Sequence, residues 1–477
     1  MRTRLLRVPT AHTARSLAGR VRDRGGLVLL ESAQRVPEQG RYSMVAVEPL
    51  FTFRATGARL ERRCGTQLTV EPGDPWPWLE SWLEPFELAS DDDLPFPAGG
   101  CFGYWGYELR QFVEPKLRPH PVADLPLPDC WLGFHDSLVV FDHARDETWI
   151  VATGFEPDGR RSVRRADERV AFWQELLATP PTPEPSRTAV PRVKSDSSAI
   201  PGIDSDDARR AAYLEQVRRA QQYIRQGDIY QVNLAQRWFV PGVTDVWALH
   251  VALAARSPAP FAAYLEGEDF AITSASPELF LKFDSDRVLT RPIKGTRPRG
   301  ETAVEDGELA AALQASPKER AELLMITDLL RNDLGRVCRY GSVRVPELQR
   351  LESYAQVQHL VATVTGELQP GISQARALAT CFPGGSVTGA PKFRAMQIID
   401  ELEPVGRGPY TGCLGYLGFN RRSQLSIIIR AAFGGPPGLW YYAGSGIVAD
   451  SEPAAEYAET LAKVRALREI LDTNAAA

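Results

Sequence analysis

One stretch with few apolar side chains divides this 477-residue chain and limits how it can fold. Residues 178–207 contain the run TPPTPEP at positions 179–185 and a cluster of Ser and Asp at positions 195–198. Such a composition leaves little surface to bury and is typical of a linker. We therefore predict an amino-terminal region over residues 1–177, a linker over residues 178–207 and a second region over residues 208–477.

Strand-like and helix-like runs are mixed in both regions. Apolar runs bounded by Gly, Pro and Asp predict strands at residues 27–30, 42–47, 138–141, 230–239, 270–273, 279–283, 287–290, 425–433 and 439–442. Start and stop signals predict helices at residues 164–177, 208–226, 317–332 and 453–471. Because strands occur in neighbouring runs with helices inserted between them, this order predicts an α+β fold.

Composition excludes several classes of function. The chain has 55 Lys and Arg against 60 Asp and Glu, so it has no positive excess with which to bind nucleic acid. Its apolar stretches are far shorter than the roughly 18 residues of a membrane-spanning helix. The six cysteines form no CxxC pair, so neither a zinc site nor a disulfide framework is indicated. We expect a cytoplasmic protein that has neither nucleic acid nor a membrane as its partner.

Two predicted helices each carry a pair of glutamates three residues apart. The pairs are Glu319 with Glu322 and Glu456 with Glu459. This spacing places both side chains of a pair on one helix face. Carboxylates without Cys or His would suit a hard cation such as Mg²⁺ if the two helices meet. The alternative is a pair of solvated helix faces on which lysines alternate with the glutamates.

Three further charged residues stand in unusual places. Lys294 follows a predicted strand, where burial would lower the pKa of its amine and allow it to act as a nucleophile or base. Glu278 follows another strand and could be a general acid if an apolar setting raises its pKa. Arg430 interrupts the apolar run at residues 425–433 and needs either an internal acid or a ligand carboxylate as its partner. Each residue, taken alone, is also compatible with a structural role.

Two glycine-rich motifs suggest nucleotide binding but lack essential parts. In GGSVTGAPK at residues 384–392, Ala390 and Pro391 stand where a phosphate loop requires Lys and Ser or Thr. GSGIVA at residues 444–449 matches the GxGxxA pattern of dinucleotide sites, but the acidic Asp450 that follows would repel a pyrophosphate. We expect neither kind of nucleotide site.

Five motifs, taken together, resemble those of the chorismate-utilising enzymes. They are PIKGTRP at 292–298, SASPE at 274–278, DLLRNDL at 328–334, GAPK at 389–392 and the Glu456/Glu459 pair. In this order they most resemble the component I branch of the aminodeoxychorismate synthases, over residues 213–471 and more loosely over residues 27–140. The resemblance implies two stacked, mainly antiparallel β-sheets flanked by helices, as in anthranilate synthase component I.

The same resemblance implies how the substrate site is built. Mg²⁺ would hold the ring carboxylate of chorismate through Glu322 and Glu459, with Glu319 and Glu456 nearby. Contacts with the substrate are implied for Tyr410, Arg430 and Gly446, helped by Gly295, Thr296, His359 and Ser386. Because chorismate is a dianion, a cation at one carboxylate and a guanidinium at the other would also fix the ring beside the reacting groups.

Two positions distinguish the branches of this family. Enzymes that add water carry a Lys base where this chain has Gln231, and anthranilate synthases carry Ala where it has Lys294. The resemblance implies Lys294 as the nucleophile at C2 of chorismate, Glu278 as the acid that protonates the departing 4-hydroxyl, and ammonia from a separate glutamine amidotransferase subunit. The product would be 4-amino-4-deoxychorismate, for p-aminobenzoate and folate synthesis. The alternatives are anthranilate synthase component I and a non-catalytic chorismate or tryptophan sensor.

A second ligand pocket is suggested in the amino-terminal half. Residues 29–32 and 257–261 correspond to the segments that bind tryptophan in relatives, which implies Ser32, Pro260 and Phe261 as tryptophan contacts. A packing role is an equal alternative, because Ser and Pro in turns need no ligand.

Overall fold

The computed structural model describes residues 2–34, 39–88, 94–181, 205–243, 245–353, 357–436 and 438–472. The helices in these ranges are α1 (Ala14–Val21), α2 (Pro75–Leu83), α3 (Arg110–Val113), α4 (Val163–Ala178), α5 (Asp206–Gln226), α6 (Val246–Arg256), α7 (Ala303–Ala315), α8 (Pro317–Gly335), α9 (Gln374–Cys381), α10 (Lys392–Leu402) and α11 (Pro453–Asp472). The strands are β1 (Arg4–Val8), β2 (Val28–Glu31), β3 (Tyr42–Ala46), β4 (Phe51–Thr56), β5 (Arg59–Cys64), β6 (Gln67–Pro72), β7 (Gly100–Trp105), β8 (Cys130–His135), β9 (Ser137–Asp142), β10 (Glu147–Ala152), β11 (Gln231–Pro241), β12 (Phe261–Glu266), β13 (Ala271–Ser276), β14 (Leu279–Asp284), β15 (Arg287–Arg291), β16 (Ile293–Pro298), β17 (Arg344–Ser353), β18 (Val357–Glu367), β19 (Gly389–Ala390), β20 (Cys413–Gly418), β21 (Arg422–Ile427), β22 (Ala431–Gly435) and β23 (Gly438–Ile447).

The strands form two large sheets. The first sheet has eleven strands in the order β1-β10-β9-β3-β2-β12-β13-β22-β23-β11-β19. The second has twelve, in the order β16-β18-β15-β14-β21-β20-β7-β8-β4-β5-β6, with β17 also paired to β18. Within the described ranges every strand pair is antiparallel.

A shared apolar core joins the two sheets. Ile272 and Phe433 of the first sheet belong to the same buried cluster as Phe280 and Leu414 from the second. A second buried cluster packs the first sheet against helices α1, α4, α6 and α11, whereas α8 packs against β16 and β18 of the second sheet. The predicted α+β fold, with two stacked antiparallel sheets flanked by helices, is therefore confirmed.

Capping residues set the ends of the long helices. The Ser316 hydroxyl accepts a hydrogen bond from the Glu319 backbone N–H, and Pro317 takes the first helical position of α8. Helix α5 ends at Gly227, which has the left-handed φ of +84° that favours glycine. The four predicted helices are confirmed to within a few residues. No helix in the described part of the chain combines the length and apolar character needed to cross a membrane.

Both predicted regions contribute strands to both sheets. Strand β2 from the first region pairs with β12 from the second, and β7 pairs in the same way with β20. Helix α4 ends at Ala178 and α5 begins at Asp206. Most of the predicted linker, residues 182–204, lies outside the described residues. The division into residues 1–177, 178–207 and 208–477 stays a prediction.

The prediction of one continuous strand over residues 425–433 is wrong. Strand β21 ends at Ile427 in the second sheet, and β22 begins at Ala431 in the first sheet. Arg430 lies between them with a left-handed φ of +52°. An apolar run indicates that a segment is buried, but it does not indicate which sheet the segment joins. The crossing from one sheet to the other therefore could not be predicted from the sequence.

Candidate active site

Lys294 lies on strand β16, directly before a break in its pairing with β18. The break coincides with Gly295, which has a φ of +71°. A Cβ atom at this glycine would lie 2.9 Å from Leu313 Cδ1 and 3.1 Å from Glu319 Oε2, so only glycine allows the strand to approach helices α7 and α8 this closely. The Lys294 ammonium turns inward and donates a hydrogen bond of 3.2 Å to the Ser386 carbonyl.

Glu278 lies beside this lysine in the turn between β13 and β14 and is only 6% exposed. Burial raises the pKa of its carboxyl above the usual range. Hydrogen bonds from the Ser386 hydroxyl and the Ile293 backbone N–H, and the nearby charge of Lys294, lower the pKa in part. Ser386 therefore contacts both groups, through its carbonyl to the amine and through its hydroxyl to the acid.

The antiparallel pair of β11 and β23 forms one wall of the same site. A Cβ atom at Gly446 would lie 2.4 Å from Gln231 Nε2 and 3.7 Å from Lys294 Nζ. Gln231 and Asn233 are buried, yet both amide atoms of Gln231 and the Oδ1 atom of Asn233 have no hydrogen-bond partner among the described residues. Buried polar atoms in folded proteins usually have a hydrogen-bond partner, so these three atoms have capacity to bind water or a polar ligand.

The glycines of the 444–449 motif belong to this wall. Gly444 and Gly446 lie in strand β23 rather than in a turn between a strand and a helix, as a dinucleotide motif would require. A Cβ atom at Gly444 would lie 3.1 Å from the Tyr410 hydroxyl oxygen. Tyr410 is buried, its ring stacks on Tyr442 at 5.1 Å, and burial raises the pKa of its phenol, so it is neutral at physiological pH.

Arg430 brings a positive charge to the site. Its guanidinium has no ion pair or hydrogen bond with the described residues. Burial lowers the pKa of Arg430, and the charge of Glu278 raises it in part. The sequence allowed either an internal acid or a ligand carboxylate as the partner of Arg430. Among the described residues no acid lies within salt-bridge distance, so the guanidinium is available for a ligand carboxylate.

A neutral histidine accompanies this arginine. His359 is buried on β18, and its Nδ1 atom lies 2.9 Å from the Thr296 hydroxyl oxygen. Burial and the nearby charge of Arg430 lower the pKa of His359 to about 4. The imidazole is thus uncharged at neutral pH and can serve as a hydrogen-bonding group beside Arg430.

The two glutamate-bearing helices meet through a lysine. The Lys318 ammonium of α8 lies 3.9 Å from Glu322 Oε1 on its own helix and 3.7 Å from Glu456 Oε1 on α11. Glu459 pairs with Lys463 at 2.7 Å. A cation site between the glutamate pairs requires the two helices to approach each other. The contacts of Lys318 show that they do.

The glutamates differ in their electrostatic setting. Burial, together with the charges of Glu319 and Glu456, raises the pKa of Glu322. Burial also raises the pKa of Glu459, but Lys463 and other nearby lysines outweigh it, so the pKa is lowered. No three acidic, His or Cys side chains in the described residues are grouped closely enough to hold a metal by themselves. Mg²⁺ usually takes only one or two protein carboxylates and fills its shell with water and substrate, so Glu322 with Glu459 remains a suitable pair.

Two lysines on these helices make contacts that the sequence does not show. The side chains of Lys318 and Lys463 are 47% and 39% exposed, as the solvated-face alternative expects, but Lys318 also links the two helices and Lys463 donates to the Gly444 carbonyl at 2.9 Å. The only available signal was their spacing of four residues from Glu322 and Glu459, which many surface pairs share.

The residues assigned to a tryptophan pocket lie at the junction of β2 and β12. The Ser32 hydroxyl donates to the Tyr42 carbonyl at 2.9 Å. Pro260 and Phe261 are buried, and Phe261 pairs with Ser276 of β13, two residues before Glu278. The assignment of Ser32, Pro260 and Phe261 to tryptophan stays a prediction.

Known proteins are similar to this chain over nearly its whole length. Aminodeoxychorismate synthase component 1 of Bacillus subtilis (strain 168) is 36% identical over 445 residues, covering 93% of this chain and 91% of that protein. Anthranilate synthase component 1 of Thermus thermophilus is 41% identical over 450 residues, covering 92% and 90%. The crystal structure of anthranilate synthase component I from Streptococcus pneumoniae TIGR4 has a TM-score of 0.77 at 28% identity, covering 92% of this chain and 93% of that one. The family profile described as chorismate binding enzyme matches residues 35–469, and the chain therefore belongs to the family of chorismate-binding enzymes.

Proposed function

We propose that this protein is component I of an aminodeoxychorismate synthase, which replaces the 4-hydroxyl of chorismate by an amino group. The observation that carries the proposal is the shared setting of Lys294 and Glu278 around Ser386. An amine beside a buried carboxyl of raised pKa supplies both a nucleophile and a proton donor for the loss of a hydroxyl. In the motif of anthranilate synthases described above, the position of Lys294 is occupied by Ala.

The charges of the site suit a dianionic ring acid. The unpaired guanidinium of Arg430 would bind one carboxylate of chorismate, helped by Tyr410, Thr296 and His359. The unpaired amide of Gln231 leaves hydrogen-bonding capacity beside the ring, next to Gly446. A clamp at both ends would hold the reacting carbons against the amine and acid, which is the main benefit of such positioning.

Mg²⁺ is the cofactor that we propose, with Glu322 and Glu459 as its ligands and Glu319 and Glu456 nearby. Burial is the main cause that raises the pKa of Glu322, and the charges of Lys294 and Lys318 lower it in part, so this carboxylate is stabilised by nearby positive charge. When bound, Mg²⁺ would neutralise the second carboxylate of the substrate. Gly295 lets the strand that carries Lys294 pack closely against Glu319, which keeps the lysine near these glutamates.

The chain's own residues then carry two displacements. In the first, the Lys294 amine forms a bond to C2, the ring double bond shifts, the C4–O bond breaks, and Glu278 gives its proton to the departing hydroxyl, which leaves as water. In the second, ammonia forms a bond to C4, the double bonds return, and the bond from C2 to Lys294 breaks. The proton that ammonia loses restores the Glu278 acid. Chorismate and ammonia are thus converted to 4-amino-4-deoxychorismate and water.

Ammonia would come from a glutamine amidotransferase subunit, the partner that the name component 1 of the relatives suggests. We also propose a cytoplasmic location, in which the six free cysteines stay reduced. Anthranilate synthase component I remains the second candidate, because a relative of that name shares 41% identity. Its product would be an aromatic 2-amino acid instead of the 4-amino compound.

The deciding experiment is incubation of the purified protein with chorismate, Mg²⁺ and an ammonium salt, followed by mass analysis of the products. We expect 4-amino-4-deoxychorismate, and anthranilate as the only product would contradict the proposal. Lys294→Ala should abolish both turnover and the covalent adduct seen by intact-protein mass. The matched control is Lys282→Ala on the exposed face of β14, which should keep wild-type activity. Undiminished turnover by Lys294→Ala would refute the nucleophile.

A further inference from the structure

We propose that Arg407, which no sequence motif singled out, is a positioning residue that holds three segments of the chorismate site in register. It lies between α10 and Tyr410 and is 1% exposed. This role of Arg407 rests on the proposed function, because it concerns the same chorismate pocket. The role of Arg407 is the same whether the pocket makes the 4-amino or the 2-amino product.

The guanidinium of Arg407 uses all five of its N–H donors. It donates to the Asn233 carbonyl at 2.8 Å, the Val387 carbonyl at 3.0 Å and the Thr411 hydroxyl at 3.2 Å. Two further bonds of 2.9 Å and 2.6 Å go to the carboxylate of Glu403. Since a guanidinium has five such donors, none is left to bind a ligand, and Arg407 acts only through its protein neighbours.

Each of the three acceptors outside the ion pair adjoins a site residue. Asn233 presents its own unpaired amide oxygen to the site. Val387 directly follows Ser386, which contacts both the proposed nucleophile and the proposed acid. Thr411 directly follows Tyr410, whose ring lies 5.9 Å from the guanidinium carbon. A shift of this guanidinium would therefore move the strand wall, the Ser386 turn and the Tyr410 hydroxyl together.

The ion pair is itself anchored on its far side. The Glu403 carboxylate also accepts a hydrogen bond of 2.8 Å from the backbone N–H of Ala235. The backbone N–H of Arg407 donates to the Glu108 carboxylate at 3.0 Å. Burial lowers the pKa of Arg407, but the charge and hydrogen bonds of Glu403, together with Tyr107 and Tyr410, outweigh burial and raise the pKa, so the guanidinium stays charged. Lysine has the charge but not the planar fork, so it cannot reproduce these bonds.

The test compares Arg407→Lys, Thr411→Val and Thr411→Ser with the wild-type enzyme. Chorismate consumption is measured with ammonia and Mg²⁺, and kcat is expressed per chorismate-binding site counted by isothermal titration calorimetry, so that unfolded protein is not counted. For Arg407→Lys we expect kcat per site to fall about 10²-fold with little change in KM, the loss typical of a small misplacement. Thr411→Val removes the hydrogen bond from Arg407 and the one that the Thr411 hydroxyl donates to the Tyr410 carbonyl at 2.6 Å. It should lower kcat roughly two- to tenfold, and Thr411→Ser should restore it.

A matched control separates positioning from general stability. Arg169 is a buried arginine of α4 that donates to Ser137 and Glu48 at 3.0 Å and 2.8 Å, far along the chain from the site. Arg169→Lys should keep the wild-type kcat per site. The proposal is overturned if Arg407→Lys and Thr411→Val both keep that value, or if Arg169→Lys loses as much as Arg407→Lys. If Arg407→Lys does not fold, the Thr411 pair decides.

Product identity is determined separately, by mass, on the wild-type enzyme. A 2-amino product would contradict the proposed function but would leave the comparison of the Arg407 and Thr411 variants intact, because all of them are assayed by loss of chorismate.

Discussion

At the scale of single residues, the buried Glu278 carboxyl has a thermodynamic cost. Its pKa in the folded protein is raised above that of a Glu in an unfolded chain, about 4.3. Its contribution to the free energy of unfolding is therefore fully present below that value and is lost as the pH rises through the folded pKa. The same burial favours the protonated carboxyl that the proposed chemistry requires, so the cost and that chemistry have one cause.

Glu278→Gln should separate the cost from the chemistry. We expect turnover to fall by about 10²–10⁴, since the amide cannot donate the proton as an acid does. Wild-type kcat should decline as the pH rises through the raised pKa, and the variant should lack that decline. The melting temperature of the variant, measured by differential scanning fluorimetry, should exceed that of the wild type at pH 7 and converge with it below about pH 4. A variant less stable than the wild type at pH 7 would contradict this account.

At the scale of elements, the sequence located helices better than strands. Helices α5 and α8 carry visible caps, Gly227 and Ser316, so both their existence and their ends could be predicted. The apolar run at residues 425–433 was assigned to one strand, because periodicity records burial and not the sheet to which a strand belongs. The motif residues of the candidate site were found through family resemblance. Arg407 was missed because the carbonyls through which it reaches the site, those of Asn233 and Val387, are distant in sequence.

The crossing between β21 and β22 places Arg430 where no element in the described ranges supplies a partner for its guanidinium. Arg430→Gln should raise KM for chorismate roughly ten- to hundredfold. This factor corresponds to the loss of one charge-assisted hydrogen bond, which contributes about 1.5–3 kcal/mol. It should not lower the melting temperature, because no ion pair with a described residue is broken and a partly buried charge is removed.

Arg291→Gln is the matched control, because this buried arginine of β15 is paired with Glu352. That change should lower the melting temperature instead. Equal destabilisation by both substitutions would mean that Arg430 has a structural partner.

At the scale of the whole molecule, the two predicted regions are built into each other. Phe102 of β7 stacks on Tyr416 of β20 at 5.2 Å, and Tyr104 meets Phe270 edge-on at 5.8 Å across the sheets. One buried cluster contains all four residues. The second region alone would expose β12 and β20 as long unpaired edges, which isolated sheets rarely tolerate. The site depends on both regions even though its motif residues come from the second.

Cutting the chain between residues 181 and 205 should therefore leave the enzyme intact. A protease site inserted there and cleaved in the native state should give two fragments that co-elute on size exclusion and keep chorismate turnover, because the described sheets and cores hold them together. Expressed alone, residues 208–477 should show no cooperative thermal unfolding and no turnover, since the core between the sheets would lose the side chains that the first region supplies. Cooperative unfolding of that fragment near the wild-type melting temperature would show that the second region folds independently and that the interleaved strands are not needed for its stability.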